Sequence, residues 1–270
     1  MRLAGRTALV TGGTQGVGAA IALAIAKEGG NLVLHGLRSD DACRSTVAAC
    51  KAQGVECNAV FVDLMGDTIA AVEDLLAQSI AIAPDISLLV NNAGTFIDKP
   101  FLEMDHSTFE RTWRLNVAAG YFLTQAWARR WIERSVRGRI VFTGSINGLL
   151  AEMDHSAYDT SKGAVWMMVR TLCVALAPYR IRVNSIAPGL VMTPLTAAVL
   201  DRDAEALQWI RTHTPNGQVP GPEVCGPAAV FLLSDDAEHI HGQTLLVDGG
   251  MSVWQQPDLP KQYRSSSDSR

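Results

Sequence analysis

Tyr158 and Lys162 stand four residues apart in Tyr158-Asp159-Thr160-Ser161-Lys162, an interval that puts both side chains on one face of a helix. A phenol ordinarily titrates near 10, too high for efficient proton exchange at neutral pH, and a neighbouring ammonium favours the phenolate. The pair therefore reads as a proton-exchanging unit, with Tyr158 as general acid or base and Lys162 expected to lower its pKa. Such a pair also arises by chance on amphipathic helices, so its weight comes from its neighbours. Ser145 follows the apolar run Arg139 to Thr143, which reads as a strand. The carboxyl end of a strand is where open α/β sheets bind ligands, and a hydroxyl there would hydrogen-bond a substrate oxygen.

A second candidate is Thr11-Gly12-Gly13-Thr14-Gln15-Gly16-Val17-Gly18, between an apolar run and a segment of helical spacing. Glycines let a backbone approach a pyrophosphate closely, and the N–H groups and dipole of the following helix stabilise its charge. Gly12, Thr14, Gln15, Gly16, Val17 and Gly18 are the expected contacts; the alternative is that these glycines only satisfy a tight turn. The next strand ends Leu34-His35-Gly36-Leu37-Arg38-Ser39. It carries no acid to accept from ribose hydroxyls, whereas Arg38 and Ser39 could bind a 2′-phosphate. Arg38 as a plain surface cation remains open. The reading leans to NADP and keeps NAD as the other choice.

The elements that must position these groups recur along the chain. Apolar runs at Thr7 to Thr11, Asn31 to Leu34, Asn58 to Val62, Ile86 to Val90, Arg139 to Thr143, Ile181 to Ile186 and Thr244 to Val247 suit buried strands, and longer helical segments separate them. Alternation of this kind implies parallel pairing with helices on both faces. The expected fold is a doubly wound, Rossmann-type α/β domain with a seven-stranded parallel sheet over residues 1–254, followed by a polar tail, 255–270. The chain has 270 residues, 48% hydrophobic and 19% charged, with a net charge of -4. That balance points to a small-molecule partner, not nucleic acid, and no apolar run reaches membrane-spanning length. With no export signal, a cytoplasmic location is expected. Five cysteines without a C-x-x-C pair argue for reduced thiols, and His239 and His241 lack further ligands in sequence, so no metal site is expected.

Taken together these motifs resemble the short-chain dehydrogenase/reductase family, in its compact branch, over nearly the whole chain. The family's Thr-Gly-x-x-x-Gly-x-Gly corresponds to Thr11 through Gly18, Asn-Asn-Ala-Gly to Asn91 through Gly94, and its helix asparagine to Asn116. Ser…Tyr-x-x-x-Lys corresponds to Ser145, Tyr158 and Lys162, Pro-Gly to Pro188-Gly189, and Asp-Gly-Gly to Asp248 through Gly250. The resemblance implies an NAD(P)-dependent alcohol dehydrogenase or carbonyl reductase in which Lys162 also binds the nicotinamide ribose and Asn116 holds a water leading to Lys162. It places Asp63 at the adenine, Asn92, Ala93 and Gly94 along the cofactor, and Pro188, Gly189 and Thr193 at the nicotinamide, with Leu64 and Val191 as further cofactor contacts.

Ser145, Asn147, Met153, His155, Tyr158, Gly189 and Leu195 are expected to line the substrate, with residues 190–221 as a lid. His155 is read either as a substrate contact or as a solvated loop residue. Sugars, polyols, hydroxy acids and 3-oxoacyl compounds all remain open as substrates. A Tyr-to-Lys interval of four argues against an enoyl reductase; a catalytically silent scaffold of the same fold is the rival from another class. Trp113, Tyr121, Phe122, Trp127 and Trp131, with Trp166, Met167 and Met168, offer apolar surface for pairing, so a homotetramer or homodimer is expected.

Overall fold

The computed structural model of the protein describes residues 1–193, 196–197 and 204–254. Leu195 and the tail 255–270 lie outside the described residues. Seven strands, β1 (Thr7–Val10), β2 (Asn31–Gly36), β3 (Cys57–Phe61), β4 (Ile86–Asn91), β5 (Arg139–Thr143), β6 (Arg182–Pro188) and β7 (Thr244–Val247), form one sheet in the order β3-β2-β1-β4-β5-β6-β7. Every pairing is parallel, which confirms the doubly wound reading. The strand order reverses between β1 and β4, the position at which such sheets open a ligand crevice.

Helices α1 (Gly16–Lys27), α2 (Asp41–Lys51), α3 (Thr68–Ile82), α4 (His106–Trp113), α5 (Ala119–Glu133), α6 (Ser156–Leu176), α7 (Ala204–His213) and α8 (Cys225–Leu233) make the crossovers and covering layers. Three start on an aspartate whose carboxylate accepts from the third residue on: Asp40 from Cys43 N, Asp67 from Ala70 N and Asp105 from Thr108 N, at 3.0, 2.9 and 2.9 Å. Each satisfies an otherwise orphaned N–H and fixes where the helix begins. One core cluster packs α1 and α8 against the sheet, and the other packs α3, α5 and α6 against the opposite face. Trp127 and Trp131 are fully buried there, with Trp131 Nε1 donating to Ile86 O at 2.7 Å. Those two tryptophans belong to the core and do not add to a pairing surface, as their spacing had suggested. Among the described residues no helix is long and apolar enough to cross a membrane.

Register brings the functional segments to one edge. Gly36 pairs with Phe61, Asn91 with Phe142, Thr143 with Ile186 and Pro188 with Val247, so the residues after these strands emerge side by side. The opposite edge is held differently. Arg139 and Arg182, nearly inaccessible, donate to Leu233 O, Leu232 O and Ser234 O at the end of α8, and Arg139 also pairs with Asp235.

Candidate active site

The glycine turn is assembled by β1 and β4 together. Thr11 Oγ1 donates to Val90 O at 3.3 Å and accepts from the N–H groups of Asn92 and Ala93 at 2.9 and 3.0 Å. Asn92 Nδ2 donates to Thr11 O and Gly12 O, both at 3.1 Å, while Thr143 Oγ1 donates to Asn92 Oδ1 at 3.1 Å. A side chain at Gly18 would place its Cβ 2.1 Å from Gly12 O and 2.5 Å from Asn92 Nδ2. Gly12 and Gly16 have φ of +59° and +56°, a region that L side chains rarely adopt. Helix α1 then starts at Gly16 without a side-chain cap, so its leading N–H groups and dipole suit a phosphate. Thr193 faces the turn from beyond β6, 3.7 Å from where a Cβ on Gly16 would lie. These features fit a dinucleotide pyrophosphate.

Around this turn the expected cofactor residues divide. Gln15 is exposed, Thr14 and Val17 are half-buried, and Thr14 O accepts from Thr46 Oγ1 of α2 at 2.9 Å. Arg38 and Ser39 are exposed beside it; Arg38 Nε sits 3.3 Å from Asp40 Oδ2. Asp63 is exposed, with Oδ1 accepting from Met65 N at 2.9 Å. Leu64 and Val191 are buried in the core clusters, so their side chains shape the groove floor from within. Gly94 lies against Asn116, whose Oδ1 is 3.2 Å from a Cβ built on the glycine, and a Cβ on Gly189 would lie 3.0 Å from the Asp248 backbone.

Helix α6 carries the reactive side chains. Lys162 is 7% exposed and donates from Nζ to Thr143 O at 3.0 Å. Its ammonium lies 5.5 Å from the centroid of the Tyr158 ring. Burial, with the carboxylates of Asp159 and Glu152 adding to it and the Ser145 hydrogen bond opposing it, pushes the Tyr158 phenol up to about 12. Burial also pushes Lys162 down to about 8. The phenol shift runs opposite to the expected acidification: burial sets its direction, and the Lys162 ammonium lies toward the ring and donates to Thr143 O.

Ser145 is positioned from three sides. Its hydroxyl donates to Asn147 Oδ1 at 3.2 Å and accepts from Asn147 N at 3.1 Å. Its carbonyl accepts from Trp166 Nε1 of α6 at 3.1 Å. Asn147, 8% exposed, donates from Nδ2 to both Asp159 Oδ1 and Glu152 Oε1 at 3.0 Å. Asn147 thus holds the serine, a role beyond the expected lining of substrate.

Asn116 sits in a π-helical segment, Arg114–Ala118, between α4 and α5. Nδ2 donates to Thr95 O and Ser161 Oγ, both at 3.0 Å, and Oδ1 accepts from Thr95 N at 2.7 Å. Its side chain is therefore committed to joining the loop after β4 to α6. Next to it a cavity of about 10 Å³ is lined by Asn91, Asn116, Thr143 and Lys162, and Asn91 Oδ1 is buried there without a hydrogen-bond partner. That space matches a single water.

At the substrate side, His155 is not a solvated loop residue. Its side chain is 15% exposed, with Nε2 2.9 Å from Asp98 Oδ1 and Nδ1 3.5 Å from Glu152 Oε2. Phe96 meets the rings of both His155 and Tyr158 edge-on, at 4.8 and 5.0 Å. Met153, by contrast, is 91% exposed and Trp209 of α7 is 58% exposed against His213; neither side chain points inward as a pocket wall. Asp98 and Phe96 were missed by sequence reasoning, and Trp166, read there as pairing surface, instead holds the Ser145 carbonyl. Only Trp166 left a signal, the four-residue step that continues Tyr158 and Lys162.

Residues 12–252 match a family model described as enoyl-(acyl carrier protein) reductase. The chain is 33% identical to L-rhamnose 1-dehydrogenase (NAD(P)(+)) of Sphingomonas sp. (strain SKA58), over 93% of this chain and 98% of that protein. It is also 33% identical to glucose 1-dehydrogenase of Gluconobacter oxydans (strain 621H), covering 94% of each. The chain belongs to the short-chain dehydrogenase/reductase family. A solved 3-oxoacyl (acyl-carrier-protein) reductase of Agrobacterium tumefaciens C58 with NADP bound superposes with a TM-score of 0.85 at 30% identity, covering 92% of this chain and 94% of that one. Membership in this family, whose relatives named here are dehydrogenases and reductases, makes the chain an oxidoreductase.

Proposed function

We propose that this oxidoreductase interconverts a carbonyl and a secondary alcohol with NAD(P), using Tyr158 as the proton-exchanging group. The supporting observation is that Tyr158 and Lys162 share one face of α6 beside Ser145, on the sheet edge that also carries the glycine turn. When bound, the nicotinamide supplies or accepts the hydride at C4. Ser145 and Tyr158 hold the substrate oxygen by their hydroxyls. In the reducing direction Tyr158 gives its proton to that oxygen as the carbonyl becomes an alcohol. The Lys162 ammonium stabilises the phenolate left behind, and a water beside Asn116 returns a proton through Lys162. A phenol pushed up to about 12 is fully protonated at neutral pH, the form that reduction requires.

The relatives named for rhamnose and glucose and the polar rim of Asp98, Glu152 and His155 support a hydroxyl-rich substrate, a sugar or polyol. NADP is favoured over NAD. Thr14 Cγ2 lies 2.7 Å from where a Cβ on Gly36 would be, so no acid fits at the end of β2 without moving Thr14, while the exposed side chains of Arg38, paired with Asp40, and of Ser39 could turn to a 2′-phosphate. The proposal includes one catalytic domain, residues 1–254, a cytoplasmic location, and pairing into a tetramer or dimer through α5 and α6, where Tyr121, Met167 and Val174 are exposed. A panel of sugars, polyols, hydroxy acids and 3-oxoacyl compounds, scored by reduced-nicotinamide absorbance with each cofactor, tests the proposal. Turnover of sugars or polyols with NADP is expected, and no turnover of any carbonyl or alcohol would overturn it. An unchanged cofactor preference in Arg38→Ala would remove Arg38 from the account.

A further inference from the structure

His35 is a buried imidazole that the chemistry above does not use. It lies in β2, 4% exposed, between the two halves of the dinucleotide groove. On one side Gly12 N donates to its Nδ1 at 3.2 Å, and Gly13 N donates to its backbone carbonyl at 2.9 Å. On the other side its Nε2 is 2.9 Å from Val62 O, the residue before Asp63. Gly12 N–H can only donate and Val62 O can only accept, so these neighbours select one tautomer: Nδ1 bare and Nε2 protonated.

We propose that neutral His35 is a positioning residue for the cofactor, fixing the glycine turn and coupling it to the adenine-side residues after β3. The proposal rests on the dinucleotide reading of this groove. A second proton on the ring would set N–H against the Gly12 N–H and break the link. Burial holds the imidazole below its ordinary range, with the Val62 carbonyl and the Asp63 carboxylate opposing. Asp63, two residues beyond β3, is the charged group that bears on the ring among the described residues; Thr11, Gly12, Gly13 and Thr14 on the turn side carry no charge. The folded-state pKa is depressed below the ordinary 6.5, so the neutral link persists below that value and is lost only as pH falls through the depressed folded-state pKa. Simple attraction between an imidazolium and a phosphate would act the other way and tighten binding in acid.

The test is NADPH affinity, read by nucleotide fluorescence between pH 5 and 8, for the wild type, His35→Leu and His35→Asn. Asparagine places Oδ1 near the Nδ1 position, restoring the acceptor for Gly12 N–H without a titration. Wild-type affinity is expected to weaken on acidification. His35→Leu should bind about ten-fold more weakly at pH 7, the equivalent of one hydrogen bond. His35→Asn should retain most of the affinity and lose the acid-side dependence. In the cofactor-free wild type, ring ¹⁵N shifts should report the Nε2-protonated tautomer, a readout independent of turnover. Wild-type affinity and pH dependence in His35→Leu, tighter wild-type binding in acid, or the opposite tautomer would each overturn the role. Failure of the folded wild type to bind either NADPH or NADH at pH 7 would overturn the dinucleotide reading itself, and this role with it.

Discussion

Trp166 Nε1 donates to the carbonyl oxygen of Ser145 at 3.1 Å, so the helix that carries Tyr158 and Lys162 also holds the serine opposite them. The three residues follow one another at intervals of four, and each reaches β5 or its extension. Trp166→Phe removes the N–H together with part of the indole that packs against Gly148. A stability loss of about 1 kcal/mol in chemical denaturation is expected, with a several-fold fall in kcat and unchanged cofactor affinity. A fall in cofactor affinity instead would show that the contact serves the groove and not the serine.

Gly18→Ala should damage the cofactor groove more than any other single-methyl change. The new Cβ meets the Gly12 carbonyl and the Asn92 amide, both fixed by hydrogen bonds to the turn. Overpacking of this kind costs about 1–3 kcal/mol. Nucleotide fluorescence should show binding weakened by ten-fold or more, and calorimetry a lower Tm.

Lys162 is held at a cost to the fold. Its folded-state pKa, about 8, lies below the ordinary 10.5, so between those values the unfolded chain binds more protons and stability rises with pH. Lys162→Met should therefore be inactive yet more stable than the wild type at pH 7, by about 1–2 kcal/mol, with the Thr143 contact offsetting part of the gain. The advantage should shrink from pH 8 toward pH 10. Tyr158 enters only above its ordinary value of 10, and the raised thiols of Cys43, Cys173 and Cys225 are common to both proteins, so the difference between them reports the lysine. Denaturation midpoints of both proteins across the range check the sign.

The arginines at the far edge of the sheet carry stability without chemistry. Arg182 donates to Leu232 O and Ser234 O, and Arg139 to Leu233 O and Asp235. Arg182→Ala leaves buried carbonyls at the end of α8 unsatisfied, at a cost of about 2–4 kcal/mol. Urea denaturation should show that loss, while the KM values of the folded variant stay close to those of the wild type.

What could be read without coordinates follows from which interactions are local. The seven apolar runs lie within a residue or two of the observed strands, because burial of the central strands on both faces and the apolar composition of the two edge strands set each run apart from its neighbours. Tyr158 and Lys162 face one way because helical spacing alone decides it. The sign of the phenol shift was not legible. It depends on how far Phe96 and the segment after β4 cover Tyr158, and those contacts join residues 62 positions apart. The same holds for His155, which reads as a loop residue until Asp98 closes over it. Trp127 and Trp131 looked like surface because their helix has apolar residues on more than one face, and only packing against β4 shows them as core.

The most direct test of the account is the kcat of Tyr158→Phe with its best substrate, measured beside its Tm and NADPH affinity. Removing one hydroxyl from a half-buried ring should leave fold and cofactor binding intact and lower kcat by about 10²–10⁴-fold. Turnover at the wild-type rate by the folded, cofactor-bound variant would contradict it.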